Sequence, residues 1–107
     1  MRYVLLISVA LAFLLPFVAA EPPNAGKELY DRSCKTCHGA EGRGNPGMAK
    51  MLRVEIPDLG SKEVQAKSDE ELGKTITKGS GKMKPVTSLT SKQQLEDVVA
   101  FLRTMKR

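Results

Sequence analysis

The feature that most constrains the fold of this 107-residue chain is a pair of thiols followed directly by an imidazole. Cys34 and Cys37 enclose two residues, and His38 follows the second cysteine. Covalent haem attachment requires this arrangement, because each sulfur can form a thioether with one haem vinyl group while the histidine ligates the iron. Three residues are about one helical turn, so both sulfurs face the same side. The segment therefore predicts one covalently bound haem c per chain.

Three other uses of the two cysteines fit the chain less well. A Cys34–Cys37 disulfide would close a very small loop and stabilise little, because the gain grows with loop length. A redox-active CxxC pair is expected near a βαβ pattern, which the neighbouring residues do not show. A closed zinc site needs four ligands, whereas the chain has two cysteines and one histidine. Haem attachment remains the prediction for this segment.

Residues 1–20 have the layout of a secretory signal peptide. Arg2 precedes an almost entirely apolar run over residues 4–17, and residues 18–20 supply a small-residue cleavage site. The alternative is a retained anchor helix, since the segment is nearly long enough to span a bilayer. We expect cleavage, export to the periplasm or an equivalent compartment, and a single domain over residues 21–107. Membrane contact is expected only if the N-terminal segment is kept.

Cap residues and apolar stripes predict a helix at each end of this domain. Asn24 is the expected N-cap of the first helix, which runs over residues 25–34. The last helix is predicted to begin after Ser91 and to bury one apolar stripe. That stripe consists of Leu95, Val98, Val99 and Leu102. No alternating strand pattern occurs, so the fold class predicted is all-α.

The segments between these two helices are shorter. Four glycines and a proline mark residues 39–47 as a loop, and residues 48–52 are expected to form a helical turn with three apolar side chains facing inward. A short helix is predicted from Ser61 to residue 65. A capping box at Ser68 predicts a further helix, which Gly79 ends.

His38 is the only histidine, so a second axial iron ligand must be another residue type. The candidates are Met48, Met51, Met83 and Met105. A methionine in a helical stripe is usually core filling. Met83 instead lies in an irregular loop, and Gly79, Gly81 and Pro85 would let its backbone wrap across a flat ligand face, which favours a role as ligand. Met48 and Met51 remain the alternatives.

Two loop prolines could support the ring of His38. Either Pro46 or Pro57 could offer its carbonyl oxygen to the free ring nitrogen, and such an acceptor fixes the orientation of a ligating histidine. The sequence does not choose between them.

Beyond these motifs, the chain resembles a single-haem class I c-type cytochrome over residues 26–30, 34–39, 81–85 and 97–102. The similarity extends over the whole domain. It implies a small all-α fold in which the N- and C-terminal helices cross near the haem, with Gly26 and Tyr30 against Phe101. The family often has methionine followed directly by proline, whereas Lys84 follows Met83 here.

The predicted function is that of an extracytoplasmic one-electron carrier and not of an enzyme. Ligation by His38 and Met83 leaves no open iron position for a substrate. The chain has no second histidine for general base catalysis and no phosphate-binding glycine motif. One alternative is a haem c subunit of a larger membrane or periplasmic oxidoreductase complex. Another is a ligand-binding haem protein that has lost the methionine ligand.

The chain is basic, with a net charge of +5 at pH 7. Four lysines lie just before and around the loop of Met83: Lys74, Lys78, Lys82 and Lys84. A basic surface there would steer an acidic redox partner to the haem, although solvated lysines without a partner are the alternative. Nucleic-acid binding is not expected, because the basic residues are interleaved with acidic ones and few aromatics accompany them.

Overall fold

The structure is a computed structural model that describes Pro16 and residues 24–107. Apart from Pro16, the predicted signal peptide over residues 1–20 lies outside the described residues, as do residues 21–23. Within the described part, no helix is long and apolar enough to cross a membrane.

The described residues form helices joined by turns and loops. In chain order the helices are α1 (Ala25–Ser33), α2 (Lys35–His38), α3 (Pro46–Leu52), α4 (Lys62–Gln65), α5 (Asp69–Lys78) and α6 (Lys92–Arg103). Between residues 24 and 107 the extended pairing is limited to an isolated antiparallel bridge from Ser80 to Met83. The predicted all-α fold class is confirmed.

Serine caps set the beginnings of three helices, as predicted. In each of them the side chain accepts a hydrogen bond from the amide three residues later; the caps are Ser61, Ser68 and Ser91. Ser68 and Glu71 form both halves of a capping box. Asn24 is the N-cap residue of α1, as predicted, but the expected cap hydrogen bond is absent, because its side chain donates to Glu28 Oε1 at 3.1 Å instead.

The glycine-rich loop ends earlier than predicted. Helix α3 already begins at Pro46, because the side chain of Asn45 caps it and proline is well suited to the first helical position, where no amide donor is needed. The inward orientation expected for three apolar side chains of this helix is also wrong in part. Met48 and Leu52 are half-buried, whereas Met51 is 66% exposed.

Helices α1 and α6 cross at Gly26. A Cβ atom at this glycine would lie 2.2 Å from the carbonyl oxygen of Asp97 and 3.0 Å from the Cβ of Phe101. One turn further along α1, the rings of Tyr30 and Phe101 lie 5.2 Å apart between centroids. The predicted crossing, with Gly26 and Tyr30 against Phe101, is confirmed.

The core lies where α1, α4, α5 and α6 meet. Its buried side chains are Leu29, Tyr30, Val64, Leu72, Ile76, Val98, Val99, Leu102 and Met105. Tyr30 and Val98 are fully buried. Cys34 and Met83 are half-buried and pack against this core cluster. The core therefore borders two of the predicted site residues.

The C-terminal residues hold the segment after α3 in place. The backbone amide of Arg107 donates to the carbonyl oxygen of Gly60 at 3.0 Å, and its guanidinium donates to the carboxylate of Asp58 and to the carbonyl oxygen of Glu41. Gly60 is buried, and a Cβ atom there would lie 2.2 Å from the carbonyl oxygen of Met105. These contacts fix the loop that follows the attachment segment.

Candidate haem site

Cys34 lies at the junction of two helices. Its amide donates to the carbonyl oxygen of Tyr30 at 2.8 Å, which ends α1, and its own carbonyl oxygen accepts from the amides of Cys37 and His38 at 3.2 and 3.0 Å, which begins α2. The two cysteines are therefore separated by a single helical turn. Both are half-buried free thiols in the structure, which has no Cys34–Cys37 disulfide.

The surroundings of Cys34 keep its sulfur protonated. Burial, followed by the neighbouring Cys37, raises the pKa of the Cys34 thiol to about 11. Redox-active and metal-binding cysteines need the opposite shift, towards the thiolate. Among the described residues, moreover, no three histidine, cysteine or acidic side chains are grouped so that they could hold a metal ion. The raised pKa of Cys34 disfavours a redox-active pair.

His38 is the last residue of α2, and its ring is neutral and has a nitrogen without a hydrogen-bond partner. Burial lowers the pKa of its imidazole, and Nδ1 is buried without a hydrogen-bond partner. No hydrogen bond joins either ring nitrogen of His38 to the carbonyl oxygen of Pro46 or Pro57, so the predicted proline support is wrong in this structure. Buried polar atoms almost always have a partner, and the neutral imidazole is the metal-binding form. A haem iron fits such a residue.

Met83 ends a tight turn after α5. The amide and carbonyl groups of Ser80 and Met83 exchange two hydrogen bonds of 2.9 Å, and Gly81 at the tip has a φ of +55°. A further 2.9 Å hydrogen bond, from the amide of Val86 to the carbonyl oxygen of Ile76, returns the chain to α5. The structure brings Met83 and Cys34 to the same core cluster, while Cys37 and His38 continue from Cys34 along α2.

The other methionine candidates have different surroundings. Met105 is 9% exposed and belongs to the core, where its sulfur lies beneath Gly42. Met51 faces solvent. Met48 is half-buried on α3. Of the four candidates for the second iron ligand, Met48 and Met83 are therefore the two that are half-buried.

Two residues that hold the attachment segment were not predicted. The hydroxyl of Tyr30 donates to the carbonyl oxygen of Gly39 at 2.6 Å. The side-chain nitrogen Nδ2 of Asn45 donates to the carbonyl oxygen of Thr36 at 3.0 Å. Burial is the main reason that the pKa of Tyr30 is raised to about 12. The available signals were a tyrosine on a buried stripe, whose hydroxyl needs a partner, and an asparagine before a proline, which marks a helix cap.

Comparison with known proteins shows consistent relationships. The family described as cytochrome C oxidase, cbb3-type, subunit III matches residues 21–102. Cytochrome c-554(547) of Halothiobacillus neapolitanus is 28% identical over 89 residues, which cover 77% of this chain and 94% of that protein. The solved structure of the KustC0563 c-type cytochrome superposes with a TM-score of 0.66 and 27% identity, covering 77% of this chain and 98% of that chain.

These relationships agree with the geometry of the site. The family match spans most of the chain, and the structural match extends over nearly the whole solved cytochrome. A thiol pair one helical turn apart and a buried neutral histidine suit a covalently held haem. The chain therefore belongs to the family described as cytochrome C oxidase, cbb3-type, subunit III, and it is a class I c-type cytochrome, an electron carrier with one covalently bound haem c.

Proposed function

We propose that Cys34 and Cys37 hold the haem through thioethers and that His38 and Met83 are its axial ligands. Each thiol would add across one vinyl group of the haem, so that its S–H bond and the vinyl π bond are replaced by S–C and C–H bonds without net oxidation. The observation that carries this assignment is the ring of His38, which directly follows Cys37, is neutral, and has a buried nitrogen that no described residue satisfies.

The turn at Met83 supports its assignment as the second ligand. Its two hydrogen bonds to Ser80 fix the backbone, so the side chain is presented from a rigid loop and not from a helical stripe. Met83 is half-buried against the core, while Met105 is used in packing and Met51 is in solvent. A methionine sulfur at this position would raise the reduction potential of the haem iron above the value that a stronger donor ligand would give.

With both axial positions filled by its own side chains, the chain acts as a one-electron carrier. When bound, the haem supplies reversible one-electron chemistry at its iron. The residues around it would hold the ligands in place, and the apolar core packs against Cys34 and Met83. No substrate position remains, so we infer a carrier that exchanges electrons with other proteins.

Visible spectra of both redox states test this assignment. We expect Met83→Ala to keep the attached haem but to lose the low-spin signature of a six-coordinate iron. Met51→Ala is the matched control, because it removes an exposed methionine, and we expect its spectra to equal those of the wild type. An unchanged Met83→Ala together with a changed Met48→Ala would move the ligand to Met48. A colourless protein with two free thiols, from a host that matures haem c, would overturn the proposal.

We further propose that an acidic redox partner docks near the turn of Met83. The four lysines there, Lys74, Lys78, Lys82 and Lys84, are all exposed. Within residues 24–107 none of them is in an ion pair, so their charge is available to a partner. Steering by such charges weakens as ionic strength rises.

Electron-transfer rates with the partner test the role of these lysines. We expect Lys82→Glu to slow the second-order rate several-fold at low salt and less at high salt. Lys62→Glu makes the same charge change on α4 and should have a smaller effect. A rate that does not depend on ionic strength would remove the steering proposal.

We propose that the protein works outside the cytoplasm after residues 1–20 are removed. The basic start, the apolar run and the small residues that precede Glu21 support this. Mass spectrometry of the mature protein tests it, with Glu21 expected as the first residue. A mass that retains residues 1–20 would favour an anchored protein instead.

A second candidate function is that of a haem c subunit in a larger membrane or periplasmic oxidoreductase complex. The description of the matching family, which names an oxidase subunit, is the observation that favours it. Gentle purification from native membranes and extracts distinguishes the two. Stable recovery with a larger catalytic subunit supports the complex, whereas a free monomer supports the independent carrier.

A further inference from the structure

The carbonyl groups at the end of α2 receive hydrogen bonds from outside that helix. The last four carbonyls of a helix have no partner within it. Here the carbonyl oxygen of Thr36 accepts from Asn45 Nδ2 at 3.0 Å, and that of Cys37 accepts from the Asn45 amide at 2.9 Å. The carbonyl oxygen of His38 accepts from the amide of Gly44 at 2.7 Å. Residues 36–38 are thus hydrogen-bonded to the segment that leads into α3.

The side chain of Asn45 uses both of its polar atoms. Its Oδ1 accepts from the amides of Gly47 and Met48 at 2.9 and 3.3 Å, which caps α3, while its Nδ2 reaches the carbonyl oxygen of Thr36. This division of roles fixes the orientation of the amide, because its oxygen can only accept and its nitrogen can only donate. Serine and aspartate can each cap a helix, but neither has an amide nitrogen to donate to Thr36.

We propose that Asn45 is a positioning residue for the haem: by joining α3 to the end of α2, its side chain holds the backbone of His38. This inference rests on the proposed ligation of the iron by His38. The segment between His38 and Asn45 contains Gly42 and Gly44, both with positive φ, so the backbone there has little stiffness of its own. The side-chain amide of Asn45 adds a connection to α2 beside those that Tyr30 and Arg107 make with Gly39 and Glu41 in this segment.

Loss of the hydrogen bond that Asn45 donates should change the reduction potential of the haem, because it changes how easily water reaches the site. A turn that opens more often would admit water to the side chain of His38 and to the haem that it would hold. Water stabilises the more highly charged ferric state, and greater exposure is one of the means by which a protein lowers a haem potential. Asn45 therefore contributes to a higher reduction potential without contacting the iron.

Asn45→Ser in the full haem-loaded protein tests the inference. The serine keeps the cap of α3 and adds no charge, so the protein should still fold and bind haem. We expect a lower reduction potential in an equilibrium redox titration. By NMR, the Gly44 amide, which donates to His38, should exchange its hydrogen about three to ten times faster than in the wild type. Asn45→Asp, which also lacks the donor, should accelerate the same amide.

Ser68→Ala is the control, because it removes a helix cap from α5 and leaves the attachment segment intact. It should change neither the potential nor the exchange of the Gly44 amide. Wild-type values for both quantities in Asn45→Ser would overturn the inference while leaving the proposed function intact. If the proposed ligation of the iron fails, the wild-type spectra described above will lack the low-spin signature, independently of Asn45.

Discussion

The hydroxyl of Tyr30 donates a hydrogen bond of 2.6 Å to the carbonyl oxygen of Gly39. Tyr30 is fully buried in α1, where its ring packs against Phe101 of α6, and Gly39 directly follows His38. Gly39 has φ and ψ of 79° and 164°, a region that is essentially open to glycine alone. One side chain therefore connects the crossing of the terminal helices to the turn that carries the proposed iron ligand.

Tyr30→Phe should lower the free energy of unfolding of the haem-loaded protein by about 1 kcal/mol. The substitution removes the hydroxyl but keeps the ring against Phe101, so the loss is close to that of one hydrogen bond. Denaturant unfolding measures it. Ser33→Ala, which removes an exposed hydrogen bond to Ser88, should cost less than about 0.5 kcal/mol. Equal stability of Tyr30→Phe and wild type would show that the bond to Gly39 contributes nothing.

The same hydroxyl should make stability depend on alkaline pH. The pKa of Tyr30 is about 12 in the folded protein, chiefly because of burial, against about 10 when unfolded. Between these values the folded state holds a proton that the unfolded state has released, so stability falls as pH rises. The contribution is complete below pH 10 and is lost through pH 12. We expect the free energy of unfolding of Tyr30→Phe to fall less steeply between pH 10 and 12 than that of the wild type. Parallel curves for the two proteins would contradict this.

The features that could be predicted from the sequence are those with local causes. Two thiols and an imidazole in one helical turn specify the attachment segment by themselves. The serine caps at Ser61 and Ser68 act within three residues, so their pattern is visible in the sequence. The crossing at Gly26 was inferred from resemblance, and the close approach of Asp97 gives its physical reason.

The features that were missed depend on residues distant in the chain or on a competing local signal. Arg103 donates to the carbonyl oxygens of Gln65 and Lys67, which lie 38 and 36 positions earlier, and no local pattern indicates such contacts. The start of α3 was hidden by the glycines around it, although Asn45 supplies its cap. The exposure of Met51 shows that residue type does not decide burial on a helix of two turns.

Gly26→Ala should destabilise the protein by about 1–3 kcal/mol, because the added Cβ would overlap the carbonyl oxygen of Asp97 and force α1 and α6 apart. Gly73→Ala is the matched control in a helix. Its Cβ would meet only the flexible end of Leu95, at 3.3 Å, and alanine favours the helix by up to about 1 kcal/mol. Thermal unfolding should give a lower midpoint for the first variant and an equal or higher one for the second. The reverse order would contradict the close crossing at Gly26.

Gly79 directly precedes the tight turn from Ser80 to Met83 and Gly81 lies within it, and the two should respond differently to alanine. Gly79 has a φ of +76°, and a Cβ there would lie 2.5 Å from the carbonyl oxygen of Met83 and 2.9 Å from the ring of Pro85. Gly81 has a φ of +55° and open space around it. Gly81→Ala should therefore cost about 1–2 kcal/mol of backbone strain without moving its neighbours. Gly79→Ala carries backbone strain and must also displace the segment that holds Met83.

Carbon monoxide binding to the reduced protein distinguishes a variant that only strains the backbone from one that displaces Met83. An iron with both axial positions filled has no site for the gas. We expect the wild type and Gly81→Ala to bind carbon monoxide poorly in the absence of denaturant. Gly79→Ala should bind it readily, since a displaced Met83 leaves one axial position open. Its free energy of unfolding must be measured in parallel, so that binding by an unfolded fraction is not mistaken for ligand loss. If a folded Gly79→Ala excludes carbon monoxide as well as the wild type does, the turn from Ser80 to Met83 does not position the second ligand.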